Sequence, residues 1–225
     1  MSHANASRTR FFPVLRCLTV LALAFAASCS TSQRYGTVTV APNTSNPLRA
    51  GDLEAHGVAF ITPATVTGQE EDRPALALIF SEVLAELRPG ARIIPLNETL
   101  SAISRAGASE DFNRLVMENR DSGLLNRAAL AQVSKVTGAR YIAQLKMASF
   151  QQESQGRLGV VGLRLVETKK ANIRLFLRIW DGANGSVAWE GAQELYMAKE
   201  TVTEKTISFH DIVDTSARAL IARIP

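Results

Sequence analysis

The sequence predicts an α/β (α+β) fold, with a mixed sheet of about five strands and helices mainly on one face. Between residues 70 and 87, apolar side chains recur at spacings of three and four, which is the helical period. In residues 172–180, aliphatic residues at every second position alternate with asparagine, arginine and aromatic residues, which is the period of a strand. Helices interspersed with a strand meander favour a sheet covered by a helical layer.

The first half of the domain predicts two strands and four helices. They are, in order, a strand at 57–63, a helix from about 70 to 87, a strand at 92–95, a brief helix capped by Asn97, a helix capped by Ser109, and a helix from about 125 to 136. The acidic run 70–72 suits the positive end of a helix dipole, and Pro74 fits a first turn. Gly138 is a natural helix stop.

The second half of the domain predicts a strand meander followed by a helix. Residues 141–147 form a strand, and residues 172–196 form a hairpin. Its turn, 181–185, is rich in Gly, Asn and Asp, which tolerate turn conformations. The last helix, near 208–223, carries apolar residues along one side.

The N-terminus has the features of an export signal. Arg8, Arg10 and Arg16 are the only Lys, Arg, Asp or Glu residues before Cys29, and the apolar run 17–27 is too short to cross a bilayer. Small residues precede the cysteine in Ala26-Ala27-Ser28-Cys29, which resembles the site cut by the lipoprotein signal peptidase, although that site usually has Leu where Ala26 stands. We therefore predict a signal peptide at 1–28, a lipidated (palmitate-bearing) Cys29 opening a flexible tether at 29–55, and a single periplasmic domain at 56–225. The short alternation Thr37-Val38-Thr39-Val40 within the tether is compatible with an edge strand of the domain.

The alternative at Cys29 is an ordinary signal peptide that leaves a free thiol. An odd thiol is a liability in an oxidising compartment, and a lipid on the sulfur removes it. Loss of Cys17 with the leader leaves no cysteine for a disulfide. Loss of the three leader arginines lowers the net charge from +4 to about +1. Without a basic run, the mature chain gives no reason to expect a nucleic-acid partner.

Two motifs resemble a group of periplasmic lipoproteins. They are Gly138-Ala139-Arg140-Tyr141-Ile142 and Asp181-x-x-x-Gly185-x-x-x-Trp189. The group shares the fold of the TolB N-terminal domain and includes the curli secretion channel lipoprotein and the lipoproteins that activate penicillin-binding proteins. The resemblance covers residues 57–225 and implies that fold, with no catalytic residue to transfer. The stretches 150–171 and 196–207 correspond to two hairpins that the curli channel extends into the membrane, but neither has the alternation that such strands need.

The hairpin carries the candidate partner-binding residues. If the apolar residues of 173–179 face the helices, then Arg174, Phe176, Arg178 and Trp180 share the other face. Arginine together with aromatic residues is typical of protein interfaces. The competing interpretation, which we weight more, is that the tether or a loop covers the aromatic rings. A second candidate is the Gly-rich segment 156–162, either a mobile loop that inserts into a lipid surface or partner groove, or a hairpin extension.

The sequence does not favour an enzyme. His56 and His210 are far apart in the mature chain, so no metal site of the common zinc types is predicted. Nucleophile-elbow and phosphate-loop motifs are missing, and the acidic run 70–72 is explained by a helix start. We expect no catalytic residue, no metal and no cofactor other than the lipid on Cys29.

These observations predict a lipid-anchored, non-catalytic binding or assembly module of the bacterial cell envelope. The expected partners are the membrane, through the anchor, and an envelope protein. Ser30 after the cysteine, rather than Asp, resembles the rule for release to the outer membrane. The alternatives are a regulator of cell-wall synthesis and a small-ligand or lipid-binding domain; a secretion-channel subunit and an unrecognised hydrolase are less favoured.

Overall fold

The computed structural model describes residues 32–41, 45–65, 69–160, 163–201 and 207–225, with the side chains of 120–122, 156–167 and 201 left aside. Its strands are β1 (Ser32–Val40), β2 (Val58–Phe60), β3 (Ala64–Thr65), β4 (Ile93–Ile94), β5 (Tyr141–Val160), β6 (Leu163–Asp181) and β7 (Val187–Thr201). Its helices are α1 (Asp52–His56), α2 (Arg73–Leu87), α3 (Leu96–Arg105), α4 (Ser109–Ser122), α5 (Arg127–Thr137) and α6 (Phe209–Ile221). The predicted signal peptide and Cys29 lie outside the described residues.

One mixed sheet of seven strands organises the described part of the chain. Its order is β1-β7-β6-β5-β2-β4, and β3 also pairs with β5. β2 runs parallel to β4 and β5, and β3 runs parallel to β5, whereas β5, β6, β7 and β1 form an antiparallel meander. The predicted α/β class with a mixed sheet is confirmed; the sheet has seven strands where about five were expected.

Helices pack on both faces of the sheet. α2 and α6 cover one face, which we call the inner face, and form the larger core with side chains such as Phe80 and Leu220. α3, α4 and α5 cover the β2 end of the opposite face and form a second core around Leu115 and Leu130. The expectation of helices mainly on one face is therefore wrong. It fails because β2 is apolar on both sides: Phe60 enters the larger core and Ala59 the second.

The folded unit starts well before the predicted boundary at residue 56. β1 pairs antiparallel with β7 at the sheet edge, and Leu48 and Leu53 are buried in the larger core. The expectation of a flexible tether over 29–55 is therefore wrong for β1 and for residues 45–55. Nearly every β1 side chain is exposed, and the strand is held by backbone hydrogen bonds at the sheet edge. Because its side chains are not needed for a core, its sequence is as polar as that of a linker.

Residues 150–171 continue the meander. β5 runs on to Val160 and β6 begins at Leu163, so residues 156–160 of the Gly-rich segment belong to a strand paired with β6, while 161–162 lie outside the described residues. The described helices are all too short or too polar to cross a membrane.

Most predicted helix boundaries agree with the structure. Pro74 lies in the first turn of α2, and Gly138 ends α5 with φ of 68°. Two predicted caps are wrong. α4 has Ala108 at its N-cap, because Ser109 is already the first helical residue, and α3 has Pro95 there, with Asn97 in its first turn.

Candidate functional site

The four candidate residues of β6 share one side of the sheet but differ in accessibility. Arg174 is exposed, Phe176 and Arg178 are half-buried, and Trp180 is only 3% exposed. We call the accessible part of this side the open face. It comprises Arg174, Phe176 and Arg178 of β6, Glu190, Glu194 and Tyr196 of β7, and Tyr35 of β1.

Trp180 is not available to a partner. It packs in the second core, and its indole Nε1 donates a hydrogen bond to Gln144 Oε1 at 2.9 Å. Gln144 Nε2 in turn donates to Asn119 Oδ1 of α4 at 2.6 Å. Trp180 is therefore buried, as the competing interpretation expected. The helices on this side of the sheet cover it, and the tether does not.

Cross-strand ion pairs order the open face. Arg174 Nε lies 2.9 Å from Glu194 Oε1, and Arg178 Nε lies 2.9 Å from Glu190 Oε1. The Arg174 guanidinium also lies 5.4 Å from the centre of the Phe176 ring. Because each arginine faces a glutamate on the neighbouring strand, the side chains are held in position before any partner arrives.

Two tyrosines extend the open face toward the sheet edge. Tyr35 of β1 pairs in register with Tyr196 of β7, and their ring centres are 6.4 Å apart. Tyr35 is 64% exposed. No sequence pattern indicated either residue, because Tyr35 lay in the supposed tether and Tyr196 in the end of the hairpin.

A pocket of about 290 Å³ lies where the open face meets the helices. Its lining residues come from β3, α4, β5 and β6 and are Ala64, Thr65, Asn119, Gly123, Gln144, Lys146, Phe176 and Arg178. Arg178 Nη1 donates to the Gly123 carbonyl at 3.3 Å and so bridges β6 to the end of α4. A neighbouring pocket of about 180 Å³ shares Ala64, Thr65, Asn119 and Gln144 with it and extends toward Arg73.

The pocket has a cationic wall and an unsatisfied donor. Lys146 and Arg178 are its charged lining residues, and the described side chains around it include no carboxylate. Asn119 Nδ2 is buried and has no hydrogen-bond acceptor among the described residues. Gln144, an uncharged polar residue in the predicted strand 141–147, was one indication in the sequence that this site exists. Lys146 lies two positions further along the strand and therefore on the same side of the sheet.

A buried carboxylate closes the β6–β7 turn. Asp181 accepts hydrogen bonds from Arg140 Nε at 3.0 Å and Nη2 at 2.7 Å, from Asn46 and Asn184 at 3.2 Å, and from the Ala183 backbone at 2.9 Å. Burial by itself raises the pKa of Asp181, but the hydrogen bonds, led by that from Arg140, outweigh burial and hold this pKa below its ordinary value. The motif that begins at Asp181 therefore has a structural role.

The other predicted features are scattered. The His56 ring lies 6.3 Å from that of Tyr141, while His210 is exposed at the start of α6. Residues 70–72 form a 3-10 turn that leads into α2. Within the described residues, His, Cys, Asp and Glu form no group of three or more that could hold a metal ion.

Comparisons with known proteins assign no family. No family model matches the chain, and no curated protein matches it. Among solved structures, the chain is similar to the PelC dodecamer from Paraburkholderia phytofirmans, with 16% identity and a TM-score of 0.43 over 84% of this chain and 94% of that one. It is also similar to lipoprotein GNA1162 from Neisseria meningitidis, with 10% identity and a TM-score of 0.36 over 74% and 96% of the two chains. At these values the similarity assigns neither a family nor a function.

Proposed function

We propose that this protein is a lipid-anchored, non-catalytic module of the bacterial cell envelope that docks an envelope protein through its open face. The open face is the observation that carries the proposal. It combines two arginines, a phenylalanine and two tyrosines on a rigid sheet, and these residue types dominate the binding energy of protein interfaces.

The accessibility of these residues fits a docking surface. The side chains of Arg174 and Glu194 are 52% and 57% exposed, and Tyr35 is 64% exposed. The Tyr35 ring is exposed and those of Phe176 and Tyr196 are half-buried, and covering such aromatic area beside ordered charges is favourable. Because their ion pairs already hold the charged side chains in place, a partner pays little entropy to order them.

The proposed anchor fixes one end of the sheet near the membrane. Cys29 is three residues before Ser32, the first residue of β1, and three residues of chain span at most about 11 Å. Ser32 pairs with Lys199 of β7, and Lys199 pairs with Lys169 of β6. The end of the sheet with these lysines would then face the bilayer, and the open face would point sideways along the membrane. We propose the outer membrane as the location because Ser30 follows the cysteine.

Site-specific crosslinking tests the docking proposal. A photoreactive amino acid at Tyr35 or Tyr196 should capture one discrete envelope protein in cells, because both rings lie on the open face. The same amino acid at Leu78, which is 53% exposed on α2, is the control for an unrelated surface. Capture from Leu78 as strong as that from Tyr35 and Tyr196 would contradict the proposal.

A charge swap separates docking from folding. Arg174→Glu should abolish capture from Tyr196, because it places two glutamates opposite each other on the open face. The double change Arg174→Glu with Glu194→Arg restores the ion pair within the sheet, but it exchanges the positions of the positive and negative charges that a partner would meet. If the double variant is as stable as the wild type and still fails to capture, the face itself is recognised. Normal capture by a folded Arg174→Glu variant would count against the face.

The anchor has its own test. Cys29→Ala should abolish fatty-acid labelling and release the protein from the membrane fraction. Persistent labelling of that variant would remove the lipid anchor from the proposal and leave the docking face to be judged separately.

A further inference from the structure

The pocket beside the open face has the chemistry of an anion site. Two of its lining side chains are cations, and it is free of carboxylates in its described lining. Arg178 is neutralised by Glu190, but the Lys146 side chain makes no ion pair or hydrogen bond with any described residue. Lys146 therefore leaves a positive charge at the mouth of a concave site.

The pocket wall offers one neutral donor in addition to the charge. Asn119 Nδ2 lacks an acceptor although it is buried, and leaving a buried donor unpaired costs about 1–3 kcal/mol. The Asn119 amide is held from the other side, because Gln144 donates to its oxygen. Gln144 in turn accepts a hydrogen bond from the buried Trp180, so this series of hydrogen bonds connects the Asn119 amide to the second core. A small adjustment of Asn119 toward an acceptor in the pocket would satisfy this donor.

The dimensions limit the ligand to a small group. A volume of about 290 Å³ is at the lower end of small-molecule sites. Phe176 of β6 and Ala64 of β3 flank Lys146 on the neighbouring strands and supply the apolar part of the lining, beside the charged and amide groups. An anion with a short apolar portion matches this division.

We propose that this pocket binds the carboxylate of a small ligand, with the Lys146 ammonium and the Asn119 amide as the carboxylate-binding groups and Phe176 as the apolar contact. A planar carboxylate offers two acceptor oxygens, one for each donor. Phe176 and Arg178 line both the pocket and the open face, whereas Lys146 and Asn119 belong to the pocket alone, so variants of Lys146 and Asn119 test this site separately from docking.

Titration monitored by NMR tests this proposal on the purified full mature chain. The probes are two acids with matched neutral partners: glucuronate against glucose, and N-acetylalanine against N-acetylalaninamide. We expect at least one acid to shift the Asn119 side-chain amide resonance saturably while its neutral partner does not. The acid that binds more tightly identifies the source of the carboxylate as a sugar acid or a peptide end.

Two charge-matched variants complete the test. Lys146→Gln should weaken binding of the acid at least about tenfold, as expected for loss of a hydrogen bond to a charged group. Lys135→Gln removes the same charge from an exposed position on α5 outside this pocket and should leave binding unchanged. The proposal is overturned if neither acid gives a saturable shift, if the neutral partners bind equally well, or if both lysine variants lose the same affinity. The crosslinking tests of docking use other residues, so either proposal can fail alone.

Discussion

Replacing Asp181 should measure how much the β6–β7 turn depends on one buried carboxylate. The Asp181 side chain is fully buried, while that of its partner Arg140 is 39% exposed. Removing one member of a buried ion pair typically costs 3–5 kcal/mol, because the other charge is left uncompensated. Since water reaches Arg140, we expect Asp181→Ala to lower the free energy of unfolding by about 3 kcal/mol, near the lower end.

Urea denaturation checks this value. With a slope of about 2 kcal/mol per molar urea, a loss of 3 kcal/mol lowers the midpoint by about 1.5 M. Asp181→Asn keeps an acceptor oxygen and should cost about 1–2 kcal/mol. The control is Asp111→Ala, which removes a solvent-exposed carboxylate 3.7 Å from Arg114 and should change the free energy of unfolding by less than about 1 kcal/mol. A loss below 1 kcal/mol for Asp181→Ala would refute the reasoning.

The same carboxylate predicts an acid dependence. Its pKa is lower in the folded protein than in the unfolded chain, where an aspartate titrates near 3.9. The folded state therefore binds this proton less readily, so the stabilisation is complete above about pH 4 and is lost as the pH falls through the folded pKa. Asp181→Asn should flatten that part of the stability profile. If the free energy of unfolding of the variant falls below pH 4 as steeply as that of the wild type, other groups cause the acid sensitivity.

Three further outcomes follow from single contacts. Trp180→Phe removes the donor to Gln144 and should lower the free energy of unfolding by about 1–3 kcal/mol, measured by urea denaturation, because it leaves a buried acceptor unpaired. Gly185→Ala should cost at least about 1 kcal/mol in the same assay, since Gly185 has φ of 78° and an added Cβ would lie 2.8 Å from Arg127 Cγ. Burial, together with hydrogen bonding to a carboxylate, raises the pKa of Tyr141 to about 12, so ultraviolet titration should show one tyrosine ionising near that pH, and Tyr141→Phe should abolish that step.

Periodicity predicted the elements whose burial is one-sided. The stripe of α2 and the alternation of β6 are both found where the sequence placed them, because each buries one side against the larger core. β1 was indicated only in part. The alternation Thr37-Val38-Thr39-Val40 is compatible with an edge strand, but residues 32–36 carry no such pattern, and their pairing uses backbone groups that every residue has.

The pocket could not be predicted from the sequence for a related reason. Asn119 and Lys146 come from different elements, and only the packing of α4 against β5 brings them to one cavity. Gln144 was the one indication within the strand, because a buried amide requires partners. Its partners, Trp180 and Asn119, are 36 and 25 residues away in the chain.

Alternation along β6 identifies the side of a residue but not what covers that side. Arg174 and Trp180 share one side and are six residues apart, about 20 Å along a strand. α3, α4 and α5 cover this side only toward β2, so Trp180 lies in the second core while Arg174 remains in solvent. The pocket lies at the boundary, where Phe176 and Arg178 are half-buried. The open face and the pocket thus have one physical origin, because the described helices on this side do not extend over β7 and β1, which widen the sheet.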